Sequence, residues 1–418
     1  MRKHQSLAAR LTAGAGAALL AAGLTAGAAV AEPDMSKEAG IAEKMNEIGG
    51  KTLSEIAGKR SDATVILSPY GLGSALHLLM LGTTRASKAE QSLKKSLVPS
   101  GLKSLDDTRQ GFQAVNKLVS EAETDKVSLK SASAVFVPGS KDTTATSPSF
   151  KKRAKEVFGA EIGSLDFSKP EALAAINGWV KDSTRGEIPT VLEKLEPDAR
   201  FVLLNAVYFK GAWELAFDPN RTAKAPFTRV DGSKRADVPL MSATLPVRLT
   251  DLGDLQAVWL PYAGKDIAMV VIAPRADGAP TLVADTLKRT TIDKLIAAAG
   301  KEAQERPVHV RLPRFRSESY LDLTDALASQ IGPALAADSD YSPINAGKRG
   351  PLQVVHRVVV DVTEAGTVAA AATAVTSDRS LAINPVFSAD RPFAFAIVHR
   401  LTQAVLFAGY IADPGEGR

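Results

Sequence analysis

The sequence predicts an α+β fold across its 418 residues. Two patterns and one absence point to it. Apolar residues recur at helical spacing through much of the first third. Runs rich in valine, isoleucine and aromatic residues, many ending at proline or glycine, fill much of the remainder. Length alone would allow two or three domains, but no linker rich in proline, glycine or serine follows about residue 40 and there is no internal repeat, so one large domain over residues 32–418 is also possible. A hydrophobic content of 45% beside 23% charged residues suits a chain with a large core.

Residues 1–31 read as a secretory signal peptide. Arg2, Lys3 and Arg10 precede an apolar run from Leu11 to Val30, and Ala29-Val30-Ala31 is a small-x-small cleavage site. The alternative is a retained membrane anchor; no later run is long enough to span a bilayer. Removing the segment takes three of the 51 basic residues and no acidic one, which lowers the formal charge from +5 to about +2. Nothing in that balance calls for a nucleic-acid partner. The absence of cysteine excludes disulfides, thiol catalysis and cysteine-bound metals.

In chain order, Ser36–Lys59 carries a helical period in Ile41, Met45, Ile48, Leu53 and Ile56. A short strand at Val65–Leu67 ends at Ser68-Pro69, and Ala75–Leu81 reads as a buried helix. Arg85–Ser96 and Leu105–Glu123 read as amphipathic surface helices, and Lys126–Val137 as a strand. Asn205–Trp213 holds strand residues, with Gly211 able to turn and Trp213 carrying one N–H to satisfy. Val258–Tyr262 and Met269–Pro274 read as a hairpin, Val308–Phe315 as a strand, and Leu321–Ile331 as a helix. Ala394–Val398 and Leu406–Ile411 close the chain as two apolar strands.

The stretch from His356 to Asn384 stands apart. Val358–Val362 is a strand, Glu364-Ala365-Gly366 a turn, and Thr367 to Ser377 carries no charge and nothing larger than valine. Ala369, Ala370, Ala371 and Ala372 favour a helix, whereas Thr367, Val368, Thr373 and Val375 favour a strand. Either reading stands. As a strand, this segment could enter a packed sheet without burying a charge.

Glu364–Thr367 resembles the proximal hinge of the serpins, and Phe387–Phe393 resembles the strand after their reactive loop. Asn205–Trp213 followed by Val238–Met241 resembles their signature block, and the match in order runs from about Ile41 to Pro414. The resemblance implies the serpin fold: helices around a large central mixed sheet, two smaller sheets, and an exposed reactive-centre loop at about residues 364–384. It implies a suicide inhibitor of serine proteases, secreted and monomeric, that needs no cofactor or metal and is not an enzyme. A non-inhibitory carrier or chaperone is the rival reading; a secreted hydrolase has no motif behind it, since HExxH, P-loop, GxGxxG and GxSxG are all absent.

Site residues follow from the same resemblance. Gly366, Thr367 and Ala369–Ala372 would insert as a new strand. Glu364 and Arg314 match a charged pair at the top of the sheet near Trp213. His356 and Asn205 match a hydrogen-bonded pair at mid-sheet beside Ser68, while Gly71 replaces the usual second serine there. Family spacing from Glu364 puts the scissile bond after Ser380, for elastase- or subtilisin-like enzymes. A loop one residue shorter puts it between Arg379 and Ser380, for trypsin-like ones, and Leu381 is the third choice. Arg379 is favoured, because a guanidinium suits a pocket with a carboxylate at its base.

Overall fold

The computed structural model describes residues 35–102, 104–139, 146–300, 304–346, 349–367 and 384–415. The expected signal peptide, Ala369–Ala372 and the bait residues Arg379, Ser380 and Leu381 lie outside them.

Helix α1 (Ser36–Lys59) is followed by β1 (Val65–Leu67) and α2 (Pro69–Leu81). α2 begins where chemistry allows: the Ser68 hydroxyl caps it by accepting from Gly71 N–H, and Pro69 fills the first turn, where its missing N–H costs nothing. Nearly all of α2 is buried, so it carries no polar face. α3 (Lys88–Leu97) and α4 (Leu105–Glu121) are amphipathic and capped by Ser87 and Ser104. Next come β2 (Val127–Pro138), α5 (Pro148–Phe158), β3 (Glu161–Leu165), α6 (Pro170–Ser183) and β4 (Phe201–Ala212). The middle of the chain holds β5 (Ala223–Thr228), β6 (Lys234–Leu252), β7 (Leu255–Pro261), β8 (Ile267–Pro274), α7 (Leu282–Leu287) and α8 (Ile292–Ala299). It closes with β9 (Glu305–Pro313), β10 (Phe315–Asp322), α9 (Thr324–Leu335), β11 (Leu352–Thr363), β12 (Gly366–Thr367), β13 (Val386–Ser388), β14 (Phe393–His399) and β15 (Ala404–Ile411).

These strands form two sheets. The central one is six-stranded and mixed, in the order β10-β11-β12-β4-β2-β3. β4 and β11, its middle strands, run parallel and pair directly from Phe201/Leu352 to Tyr208/Val359. Beyond that point they part, and the two residues of β12 sit between them. The expected two smaller sheets are continuous: β6, 19 residues long, pairs with β9 through Leu240–Arg248 and with β7 through Arg248–Leu252, which joins nine strands.

Several boundaries differ from the sequence reading: α2 starts at Pro69 rather than Ala75 and β4 at Phe201 rather than Asn205, and two further differences change the element. The strand expected over Val308–Phe315 breaks at Arg314, where the chain leaves the nine-stranded sheet as β9 and enters the central sheet as β10. Leu321, expected in a helix, lies in β10 opposite His356. The helix waits for Thr324, whose N–H and hydroxyl are both taken by the Asp322 carboxylate.

Candidate functional site

The place where β4 and β11 part is built from the segment that follows β4. Trp213 stacks on Tyr262 with ring centroids 4.5 Å apart. Its indole N–H donates to the Thr363 carbonyl at 3.0 Å, and its backbone N–H donates to the Ala365 carbonyl at 3.0 Å. Phe217 N–H donates to the Glu364 carbonyl at 2.9 Å. Three consecutive carbonyls of the 363–365 turn are thus held by one short stretch of chain. Thr222 adds a fourth bond, from its hydroxyl to Glu364 Oε1 at 2.7 Å.

Arg314 comes to the same carboxylate because it sits at the crossover between the sheets. Its Nη1 is 3.8 Å from Glu364 Oε1, and the two side chains are 31% and 10% exposed. At that distance the pair is loose, and the Thr222 bond is the tighter contact. Gly366 then turns the chain inward at φ 138°, a value that a side chain resists. A Cβ there would run into the Gly211 carbonyl and lie 2.7 Å from the Ala212 Cα. Thr367 is fully buried, and its hydroxyl bonds the Tyr262 hydroxyl at 2.7 Å.

At mid-sheet, Ser68 joins three elements. Its hydroxyl donates to the Leu406 carbonyl of β15, while its backbone N–H donates to His356 Nε2 of β11 at 2.9 Å. Nε2 must therefore be unprotonated. Complete burial pushes the imidazole in the same direction, down to about 3, against a smaller opposing effect of the Asn205 backbone. His356 and Asn205 are neighbours in the parallel pairing, yet their side chains do not bond as the resemblance implied. The ring is turned to Ser68, and the Asn205 amide reaches the other way, donating to Ser133 Oγ of β2 at 3.1 Å. Asn205 Oδ1 is buried without a partner, at the point where a Cβ on Gly71 would stand. With glycine at residue 71, the Asn205 amide occupies space that a side chain there would need.

A family model described as serpin (serine protease inhibitor) matches residues 43–414. The chain belongs to the serpin family. Among curated serpins, the leukocyte elastase inhibitor of Bos taurus is 33% identical over 361 residues, covering 84% of this chain and 93% of its own. Serpin B8 of Homo sapiens is 32% identical, with 87% and 96% covered. Of solved structures, native protease nexin-1 with heparin superposes at TM-score 0.77 and 26% identity, over 91% of this chain and 99% of its own. Human thyroxine-binding globulin complexed with thyroxine, at TM-score 0.79 and 21% identity, shares the fold over 91% of this chain and 100% of its own.

In this serpin, then, the structure brings Trp213, Arg314, Glu364, Gly366 and Thr367 together at the top of the sheet, and Ser68, Asn205 and His356 at its middle. Thr222 and Tyr262 were missed as site residues. Tyr262 stood in the expected Val258–Tyr262 strand, but Thr222 bonds a carboxylate 142 positions away, and no local pattern announces that.

Proposed function

We propose that this serpin is a secreted inhibitor of serine proteases that acts once, by being cut. The observation that carries the reading is β12: the first two residues of the proposed insert already pair with β11 on one side and β4 on the other. The attacking protease's serine would add to the carbonyl of Arg379, and the bond to Ser380 would break with its nitrogen leaving as an amine. The upstream segment would stay esterified to the protease. Freed at that end, residues to about 377 would continue β12 between β4 and β11, with no charge to desolvate. The esterified protease would be carried along and its site distorted before water could release it.

Arg379 points to trypsin-like targets, with elastase- or subtilisin-like enzymes next if Ser380 or Leu381 is the bait. Secretion rests on the signal-like residues 1–31. The relatives named as protease inhibitors support the inhibitory reading over a carrier. Trypsin, elastase, chymotrypsin and subtilisin, each incubated with the purified protein, test it. SDS-stable adducts with trypsin and a new N-terminus at Ser380 are expected, and Arg379→Ala should abolish the trypsin adduct. Binding without any covalent adduct to the four proteases would favour the carrier.

A further inference from the structure

A cavity of about 1080 Å³ opens between α2, α3, α4 and α5, and its lining includes neither the residues at the top of the central sheet nor Ser68, Asn205 and His356 at its middle. His77, 3% exposed, is among its lining residues. The ring stacks on Phe112, with centroids 5.0 Å apart, and Nδ1 lies 2.7 Å from the Gly73 carbonyl one turn back in α2. A carbonyl only accepts, so Nδ1 carries the proton and Nε2 presents a lone pair. That Nε2 is buried and has no hydrogen-bond partner among the described residues. Burial also pushes the ring down to about 4, which keeps it neutral and Nε2 an acceptor at neutral pH.

The walls beside it are apolar. Phe112 and Phe158 pack together at 5.0 Å, Met80 and Val157 are buried, and Leu105 is left 38% exposed while lining the same space. The charged residues of the lining differ from one another. Lys94 is paired with Glu90, and Arg109 with Asp106. Arg85 and Arg153 have no ion-pair partner among the described residues. The cavity thus offers a buried acceptor, an apolar passage, and two uncommitted guanidiniums.

We infer that this cavity is a binding site for a small anionic amphiphile that carries a hydroxyl at its apolar end. The hydroxyl donates to His77 Nε2, the hydrocarbon runs along Phe112, Phe158 and Leu105, and the carboxylate meets Arg85 and Arg153. The site is independent of loop cleavage, so inhibitor and non-inhibitor alike could hold the ligand.

Calorimetry on the full protein with 12-hydroxydodecanoate and with dodecanoate tests it. The hydroxylated acid should bind about three to ten times more tightly, the worth of one neutral hydrogen bond. His77→Phe keeps the aromatic stack and should erase that preference, leaving the dodecanoate affinity in place. Arg153→Ala should weaken both acids about tenfold. Because His77→Phe sits in the core, a second readout uses the unaltered protein: with nitrogen-labelled histidine, 12-hydroxydodecanoate should shift His77 Nε2 and dodecanoate should not. Equal affinity for the two acids, an unmoved Nε2, or no binding at millimolar acid would each overturn the proposal, the last leaving Nε2 to water alone.

Discussion

Glu364 has two partners at the hinge, and they are not equal. A hydrogen bond to a charged group is worth about 1.5–3 kcal/mol, whereas a loose, partly exposed ion pair is worth about 0–1 kcal/mol. Thr222→Val should therefore free the 363–367 turn more than Arg314→Ala does. Hydrogen exchange at the Thr367 amide measures this, and the opposite order would shift the weight to Arg314. His356 gives a pH signature. Unfolded, it titrates near the usual histidine value; folded, at about 3. Stability is whole above about pH 6.5 and falls as pH drops toward 3, because only the unfolded chain takes up the proton there, at about 1.4 kcal/mol per pH unit. His356→Gln should flatten the loss between pH 6.5 and 4.5 by one proton, measured as the pH dependence of denaturant unfolding. His77 titrates in the same direction in both proteins and cancels. At this scale the sequence was read unevenly. Trp213, Glu364 and Ser68 were legible because they sit in strings whose types and order are distinctive. The Thr222 and Tyr262 bonds were not, because a hydroxyl shows its partner only once the chain has closed. The His356–Asn205 pair was read only in part: the two are neighbours and the ring meets the Asn205 backbone rather than its amide, since a string does not show which way an amide turns.

Among the elements, β12 is the smallest and the most constrained. Gly366 approaches the backbone of β4 so closely that no side chain fits, and Thr367 is sealed beneath it. Gly366→Val should expel the turn from between the strands and leave the rest of the fold standing. Thr367→Arg should keep the fold but stop insertion, because burying an unpaired charge costs several kcal/mol. The variant should be cleaved by trypsin without forming adducts; adducts at the unaltered yield would contradict insertion. Strand and helix positions were otherwise legible from period and punctuation, as for α3, α4 and the β7–β8 hairpin. The failures fell at junctions. Apolar residues run on through Leu321, so periodicity cannot mark where β10 stops, and only the Asp322 carboxylate over Thr324 does so. The break at Arg314 was hidden for a similar reason: both neighbours of the crossover are strand residues, and a change of sheet leaves no trace in hydropathy.

For the whole molecule the question is how much free energy the closed sheet withholds. Extending β12 by roughly ten residues would add about ten hydrogen bonds at about 0.5–1.5 kcal/mol each. That total matches the entire stability of an ordinary domain, about 5–15 kcal/mol. Nicking the loop should raise the thermal midpoint by about 6–19 °C, read by scanning calorimetry. An unchanged midpoint would mean that the sheet gains nothing from the cut. The α+β class was legible at this scale because helix and strand patterns both span long stretches. The continuity of nine strands through β6 was not, since pairing between distant segments is invisible to any local pattern. The two paired residues of β12 carry one more consequence. In the proposed insertion they would act as a toehold, like the short overhang from which one nucleic-acid strand displaces another. Growth from an existing end needs no fresh start, so the speed of trapping should follow how fast β4 and β11 unzip below Tyr208 and Val359, and should depend little on how the severed end finds its way in.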